Sequence, residues 1–311
     1  MQNENGTLQQ APTGFARVCA LALGALAALC GCDGGAGYQR GWAVGWTYGG
    51  AAFTPGDPTT FQPLSPHFGR DAQQGYCRGS AVEGSESATF EALSEHEARD
   101  SRAVYYCKTY RKAQEYWAYQ HLRTTTIPGA DAASYRVLAH GHAHDRHRAY
   151  DRGQPFAVHD AASFEPLSPR FARDAQRGYF EHAEIPASHG PSFALMDEDD
   201  PGYARDRTHA WHGHIEVNQP DRGPHPVLRL LRGADLATLR ALGRGYAADA
   251  WRVWYQGEPL ARADAASFTV LSNATATATA TADVDVDARD RTQAWQRGRV
   301  VAGKDPGPAA R

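Results

Sequence analysis

Lysine, cysteine and long apolar runs are all scarce in this chain of 311 residues. Lysine occurs only at Lys108, Lys112 and Lys304, and the formal net charge is −3. A slightly acidic chain offers nucleic acid no electrostatic attraction, so we expect no nucleic-acid partner. The sequence also lacks a glycine-rich phosphate loop, an HExxH helix and a GxSxG elbow. It therefore carries no familiar signature of nucleotide binding, zinc proteolysis or serine hydrolysis.

The most apolar stretch lies near the N-terminus, where residues 18–29 read VCALALGALAAL after Arg17. These 12 uncharged residues are too few to span a bilayer comfortably as a helix. Their length is typical of the apolar core of a secretory signal peptide. An ordinary cleaved signal or a buried apolar helix are the alternatives.

The residues that follow this stretch favour a lipid-modified form of such a signal. Leu29-Cys30-Gly31-Cys32 resembles the bacterial lipobox, in which a small residue precedes a cysteine that is lipidated and becomes the new N-terminus. We therefore predict a lipoprotein signal peptide over residues 1–31, lipidation at Cys32 and a tether over residues 32–41. The predicted location is the bacterial cell envelope, with the chain membrane-anchored and facing the periplasm or the exterior. Asp33, directly after the lipidated cysteine, is a hint of the inner membrane.

An aspartate recurs along the rest of the chain at intervals of 29 to 45 residues. A tyrosine or tryptophan follows each of these aspartates after five residues, and a phenylalanine and a leucine follow later in most copies. The repeat aspartates are Asp71, Asp100, Asp145, Asp174, Asp206, Asp249 and Asp290. A degenerate copy with Trp46 precedes them. Repeats of this length indicate small units that bury their apolar faces by stacking on one another.

One unit can be interpreted from residues 145–180. The repeat aspartate accepts downstream amide hydrogens and so favours a turn. A short strand such as Tyr179-Phe180, a hairpin turn and a return strand follow. Asp160 is then a good cap for one helical turn, which carries Phe164 and is ended by Pro166.

The predicted fold is therefore an all-β tandem array of about eight short β-hairpin units with capped one-turn helices. The recurrent aromatic, phenylalanine and leucine side chains form its core. The pattern leaves open whether the array is an open solenoid or closes like a propeller. We place the repeat domain at residues 42–303 and a disordered tail at residues 304–311.

The repeated segments resemble the DKNYY family, which is named for an Asp-Lys-Asn-Tyr-Tyr-like signature. The signature appears as RDSRAVYY (99–106), RDAQRGYF (173–180) and ADAWRVWY (248–255), without the Lys-Asn pair. The accompanying segment appears as GADAASYRVL (129–138) and RADAASFTVL (262–271). The resemblance covers nearly all of residues 42–303. It implies a bacterial envelope protein and no established activity.

Three insertions interrupt the repeat. Residues 107–127 suit a short amphipathic helix or a longer hairpin, and residues 212–234, which contain three prolines, suit a loop. Residues 273–288 alternate threonine and alanine before an acidic stretch, which indicates a mobile loop or an extended hairpin.

The cysteine pattern leaves two thiols in an oxidising compartment. Cys19 and Cys30 leave with the signal peptide, and Cys32 carries the lipid. Cys77 and Cys107 follow consecutive repeat aspartates by six and seven residues. Stacked units can bring them together as a disulfide, although the one-residue difference can also point them to opposite faces.

The remaining candidate chemistry has a structural interpretation. Histidines at 140, 142, 144 and 147 suit zinc or copper, but a solvated loop explains them better, and His209, His212 and His214 give a weaker signal. Asp283, Asp285 and Asp287 lack the glycine and glutamate of a calcium loop. The recurrent aromatics suit core packing better than glycan stacking.

The repeat aspartates are predicted to be structural, because a catalytic group is needed once and a turn is needed in every unit. We expect no catalytic residue, metal or cofactor. The predicted function is a non-enzymatic envelope lipoprotein that acts as a scaffold or binding surface for protein or glycan. The alternative is an envelope hydrolase with its site on the insertion loops.

Overall fold

The computed structural model describes residues 37–41, 45–112, 121–217, 221–271 and 286–301. These residues form eight small antiparallel sheets, which follow one another in chain order. The first sheet has three strands and each of the others has four, with every strand paired to its neighbour in sequence. The prediction of an all-β tandem array is thus confirmed. No helix of the described part is long and apolar enough to cross a membrane.

The first four sheets occupy residues 38–156. Their strands are β1 (Tyr38–Gly41), β2 (Gly45–Tyr48) and β3 (Ala51–Phe53) in sheet 1; β4 (Gln62–Pro63), β5 (Phe68–Arg70), β6 (Gly75–Cys77) and β7 (Ser80–Val82) in sheet 2; β8 (Glu91–Ala92), β9 (Glu97–Arg99), β10 (Val104–Tyr110) and β11 (His121–Thr126) in sheet 3; and β12 (Arg136–Val137), β13 (His142–His144), β14 (Ala149–Asp151) and β15 (Gln154–Phe156) in sheet 4.

The last four sheets occupy residues 165–300. Their strands are β16 (Glu165–Pro166), β17 (Phe171–Arg173), β18 (Gly178–Phe180) and β19 (Ala183–Glu184) in sheet 5; β20 (Ala194–Leu195), β21 (Tyr203–Arg205), β22 (Ala210–Glu216) and β23 (His225–Leu230) in sheet 6; β24 (Arg240–Gly243), β25 (Tyr246–Ala248), β26 (Val253–Tyr255) and β27 (Glu258–Pro259) in sheet 7; and β28 (Thr269–Val270), β29 (Ala288–Arg289), β30 (Ala294–Gln296) and β31 (Arg299–Val300) in sheet 8.

Each of sheets 2 to 8 contains two more strands than the predicted hairpin. The hairpin read from the sequence forms strands three and four of a sheet. Strands one and two come from the stretch that leads into the repeat aspartate, as where Glu165 pairs with Arg173. Pro166 is accommodated because β16 is an edge strand, where a missing N–H breaks no ladder.

A short turn joins each sheet to the next and holds the recurrent phenylalanine. Three of these connections are one-turn 3₁₀ helices, at Ser87–Thr89, Ala161–Ser163 and Gly190–Ser192. The Asp160 carboxylate accepts a hydrogen bond from the Ala162 N–H at 3.2 Å, as an N-cap residue does. The predicted capped turns are therefore present, in the tighter 3₁₀ form.

Apolar side chains from both faces of a sheet are buried between sheets. Successive residues of a strand point to opposite faces, so Tyr179 packs against sheet 4 while Phe180 packs against sheet 6. Seven core clusters join each sheet to the next. Among the described residues no cluster joins sheet 1 to sheet 8, so these contacts form a linear series.

Two of the predicted boundaries and insertions differ from the structure. Strand β1 begins at Tyr38, inside the segment predicted as a tether, so the folded domain starts earlier than predicted. The insertion at residues 212–234 was predicted to be a loop, and this is wrong, since β22 and β23 form an extended hairpin across it. Pro226 fits there because β23 is an edge strand.

The other insertions and the terminal segments are described only in part. Residues 107–127 form the hairpin of β10 and β11, the second of the two predicted alternatives, around residues 113–120. Residues 113–120, most of the insertion at 273–288, the signal peptide with Cys32 and the tail at 304–311 lie outside the described residues.

Candidate functional site

The seven repeat aspartates share one geometry. One carboxylate oxygen accepts hydrogen bonds from the amides two and three residues downstream, at 2.7–2.9 Å. The other oxygen accepts an amide hydrogen from the residue before the preceding connecting turn, at 2.7–3.1 Å. Each carboxylate thus closes its own turn and ties it to the turn between sheets.

The aromatic residue five positions downstream adds a further donor in several units. Tyrosine hydroxyls donate to the carboxylates of Asp71, Asp100, Asp145 and Asp174 at 2.6–2.8 Å. In the last unit the Trp295 indole N–H donates to Asp290 at 3.1 Å. The spacing of five therefore has a hydrogen-bonding reason as well as a packing reason.

Hydrogen bonds stabilise these buried carboxylates. All seven aspartates are at most 4% exposed, and no ion pair reaches them within the described ranges. Burial raises the pKa of Asp174, but its hydrogen bonds together outweigh burial and hold the pKa below its usual value. With both oxygens occupied and solvent excluded, such a carboxylate is suited to holding a turn and cannot reach a substrate.

The recurrent aromatic side chains lie inside the stack. Tyr76, Tyr105, Tyr150 and Tyr179 and the tryptophans Trp211, Trp254 and Trp295 are all at most 4% exposed. Their rings pack against the phenylalanine of the connecting turn, as where Phe193 and Trp211 lie 5.8 Å apart between centroids. They form no exposed ladder on which a sugar ring could stack.

The two cysteines meet between sheets 2 and 3. Cys77 and Cys107 form a disulfide and are fully buried. Cys77 points away from the Tyr76 side of its strand, toward sheet 3, whereas Cys107 shares the Tyr105 side, which faces sheet 2. The one-residue difference in register therefore brings the thiols together. It does so because the Cys77 side of sheet 2 packs against the opposite side of sheet 3, the one that carries Tyr105 and Cys107.

The solvated loop predicted for the histidines at residues 140–147 is found only in part, since His140 and His147 are exposed. His142 and His144 lie in β13, and His142 is 4% exposed. His142 lies three residues before the repeat aspartate Asp145. The side chain at this position faces the next sheet. Within the described residues, no group of three or more histidine, cysteine or acidic side chains is placed to hold a metal ion.

In two other units, the residue three positions before the repeat aspartate is a buried acid, Glu97 or Asp287. Glu97 accepts hydrogen bonds from Tyr135 and Ser94, and Asp287 accepts one from Tyr246 at 2.7 Å. Burial raises the pKa of Glu97. The repeat register could have identified these residues from the sequence. The third residue before each repeat aspartate is an aromatic residue, an acidic residue or a histidine.

Comparison with known proteins identifies a family for this chain. Searches of curated proteins and of solved structures found no significant match. Residues 48–214, which are more than half of the chain, match the sequence model of the DKNYY family. The match begins in sheet 1 and ends in the extended hairpin of sheet 6. The chain therefore belongs to the DKNYY family.

Proposed function

We propose that this protein is a non-enzymatic lipoprotein of the bacterial cell envelope whose stacked sheets act as a scaffold or binding surface for an envelope protein or glycan. The use of the repeat carboxylates carries this proposal. In seven units the same acidic group is buried and bonded to backbone amides. These seven carboxylates are thus engaged in the fold and are not free to act as an acid or base.

The position of the anchor supports an envelope-bound scaffold. Cys32 precedes Tyr38, the first strand residue, by six positions. Six extended residues reach at most about 20 Å. A lipid on Cys32 would thus keep sheet 1 near the membrane, with the other sheets following in linear order.

Fatty-acid labelling tests the anchor. Cys32→Ala is expected to abolish labelling and to leave an unprocessed precursor, because the lipidated thiol is gone. Cys30→Ala is the matched control, since it removes the neighbouring cysteine of the same segment and should keep full labelling. Equal labelling of the Cys32→Ala chain and the wild-type chain would contradict the proposal.

Pull-down and substrate screening test the scaffold role. The full-length chain, crosslinked in intact cells and recovered from membranes, is expected to enrich a specific envelope protein or glycan. A panel of envelope hydrolase substrates should show no turnover. Turnover that survives purification to homogeneity would replace the scaffold with the hydrolase.

A further inference from the structure

A cleft opens where sheets 5, 6 and 7 meet. Its volume is about 490 Å³, which lies in the range of small-ligand sites. Its lining comes from the turns between the first two strands of each sheet, from β22 and from the turn after β26, and includes Arg170, Gly202, His212, His214, Arg244 and Gln256. Three consecutive units contribute, so the cleft exists only in the assembled stack.

The extension of β22 builds one wall of this cleft. The equivalent strands of sheets 5 and 7 end at Phe180 and Tyr255, and the chain turns back through a residue with a left-handed backbone. In sheet 6 the strand continues through Gly213 to Glu216. A Cβ at position 213 would lie 2.3 Å from the Phe180 ring, so only glycine lets the strand pass. His214 therefore lies at the position where the backbone of sheets 5 and 7 turns back.

Two histidines present unused nitrogens in this region. His212 is 3% exposed and its Nδ1 has no hydrogen-bond partner, and the buried Nδ1 of His214 also has none. Burial lowers the pKa of His212 to about 3 and lowers that of His214 as well. Both rings are therefore neutral near pH 7 and each keeps one N–H. Buried polar atoms in proteins nearly always have a hydrogen-bond partner. A ligand in the cleft would supply such a partner here.

The charged side chains that line the cleft are Arg170, Arg244 and Asp200. Arg244 forms no ion pair in the part of the chain that is described, and its Nη1 donates to the Leu271 carbonyl at 3.1 Å, which orients the guanidinium. Arg170 lies 3.4 Å from Glu181. Asp200, the carboxylate of the lining, accepts the Gly245 N–H at 3.0 Å.

The same charges argue against a metal cation. Arg229 approaches His214 Nε2 at 3.4 Å, so this ring nitrogen already faces a guanidinium, which itself pairs with Glu258 at 2.7 Å. Glu216 also lies 3.9 Å from His214 Nε2, and its charge raises the pKa that Arg229 and Arg170 lower. No third acidic, cysteine or histidine ligand completes a metal site among the described residues.

We propose that this cleft binds an oxyanion, a carboxylate or a phosphate, through the Arg244 guanidinium and the N–H groups of His212 and His214. A guanidinium presents paired donors that match the two oxygens of such a group. The neutral imidazoles add N–H hydrogen-bond donors, and they do so without the free-energy cost of removing another charged group from water. The site goes beyond the scaffold role and does not depend on lipidation, so the two proposals can fail separately.

Titration of the full-length chain in non-ionic detergent tests the site. Inorganic phosphate, acetate and vesicles containing phosphatidylglycerol are added in turn, and the imidazole resonances of His212 and His214 are followed by NMR. We expect saturable shifts with phosphate or acetate. Saturation with the vesicles alone would identify a lipid headgroup as the source of the anion.

Matched variants locate the binding. Arg244→Gln should weaken binding about tenfold, as expected for a lost charge-assisted hydrogen bond. Arg240→Gln removes the same charge from the same sheet outside the cleft lining and should leave affinity unchanged. Gly202→Ala places a Cβ 3.0 Å from His212 Nε2 and should also weaken binding.

Two results would overturn the proposal. One is the absence of saturable binding for phosphate, acetate and vesicles alike. The other is equal affinity in the Arg244→Gln and Arg240→Gln chains, with unfolding midpoints confirming that both are folded. The Cys32→Ala chain should bind as wild type does, which separates this result from the test of the anchor.

Discussion

Asp174 shows what a repeat aspartate contributes to stability. Its carboxylate accepts five hydrogen bonds, four from backbone amides and one from the Tyr179 hydroxyl. Asp174→Ala removes the acceptor of these five hydrogen bonds, so we expect a loss of about 2 kcal/mol in the free energy of unfolding. Asp160→Ala, which removes a more exposed cap, should cost only about 1 kcal/mol. Denaturant melts provide both values, and an unchanged midpoint for Asp174→Ala would refute the structural role.

The same carboxylates make stability depend on pH. Burial alone would raise the pKa values of Asp71, Asp100, Asp145 and Asp174, but hydrogen bonds hold them below their usual value. A depressed carboxylate stabilises the fold above its unfolded pKa of about 3.9 and loses that contribution as pH falls through the folded pKa. Glu97, whose pKa is raised, acts in the opposite sense but is a single group.

We therefore expect the urea midpoint to fall between pH 7 and 5, because the buried histidines His142, His212 and His214 have lowered pKa values and protonate more readily in the unfolded chain, and to fall further below about pH 4 as the aspartates protonate. Asp174→Asn should show a shallower fall, because one of the depressed carboxylates is gone. Equal midpoints at pH 5 and pH 3 would be incompatible with these pKa directions.

At the scale of the sheets, the disulfide links two neighbouring elements. Cys77 in β6 and Cys107 in β10 are separated by 30 residues. Closing a loop of that size removes freedom from the unfolded chain, so Cys77→Ser with Cys107→Ser should cost about 2–4 kcal/mol. Chemical denaturation of the double variant and of the reduced wild-type chain should give similar losses. Mass spectrometry of the non-reduced protein that finds two free thiols would contradict the pairing.

At the scale of the whole molecule, contacts between neighbouring sheets predict local opening. Phe164 is 4% exposed and packs between sheets 4 and 5 with Ala149 and Tyr179. Phe164→Ala should cost about 3–5 kcal/mol. In a linear array this loss falls mainly on the two sheets that share the contact.

Hydrogen exchange with mass spectrometry measures that distribution. Amides of sheets 4 and 5 should exchange faster in the Phe164→Ala chain, and those of sheet 8 should change little. Trp251→Ala is the control, because Trp251 is 78% exposed and its loss removes no core contact. Equal acceleration in all eight sheets would show one cooperative unit in place of a linear series.

The sequence alone determined the repeat, its turn chemistry and its core residues. An aspartate followed five residues later by a tyrosine, as in Asp174 and Tyr179, encodes a local geometry, because the donors to its carboxylate lie mostly within a few residues of it. The family resemblance rested on the same local pattern. Local physics of this kind can be read from one unit and recurs in the others.

Only the tertiary structure decided how the units meet. Strands such as Glu165–Pro166 are too short to show a period and exist because the next strand pairs with them. The Cys77–Cys107 pair and the cleft around His212 depend on which face of one sheet meets the next. Those contacts join residues from different units. The number of residues between two positions in the sequence does not determine how close they lie when the sheets stack.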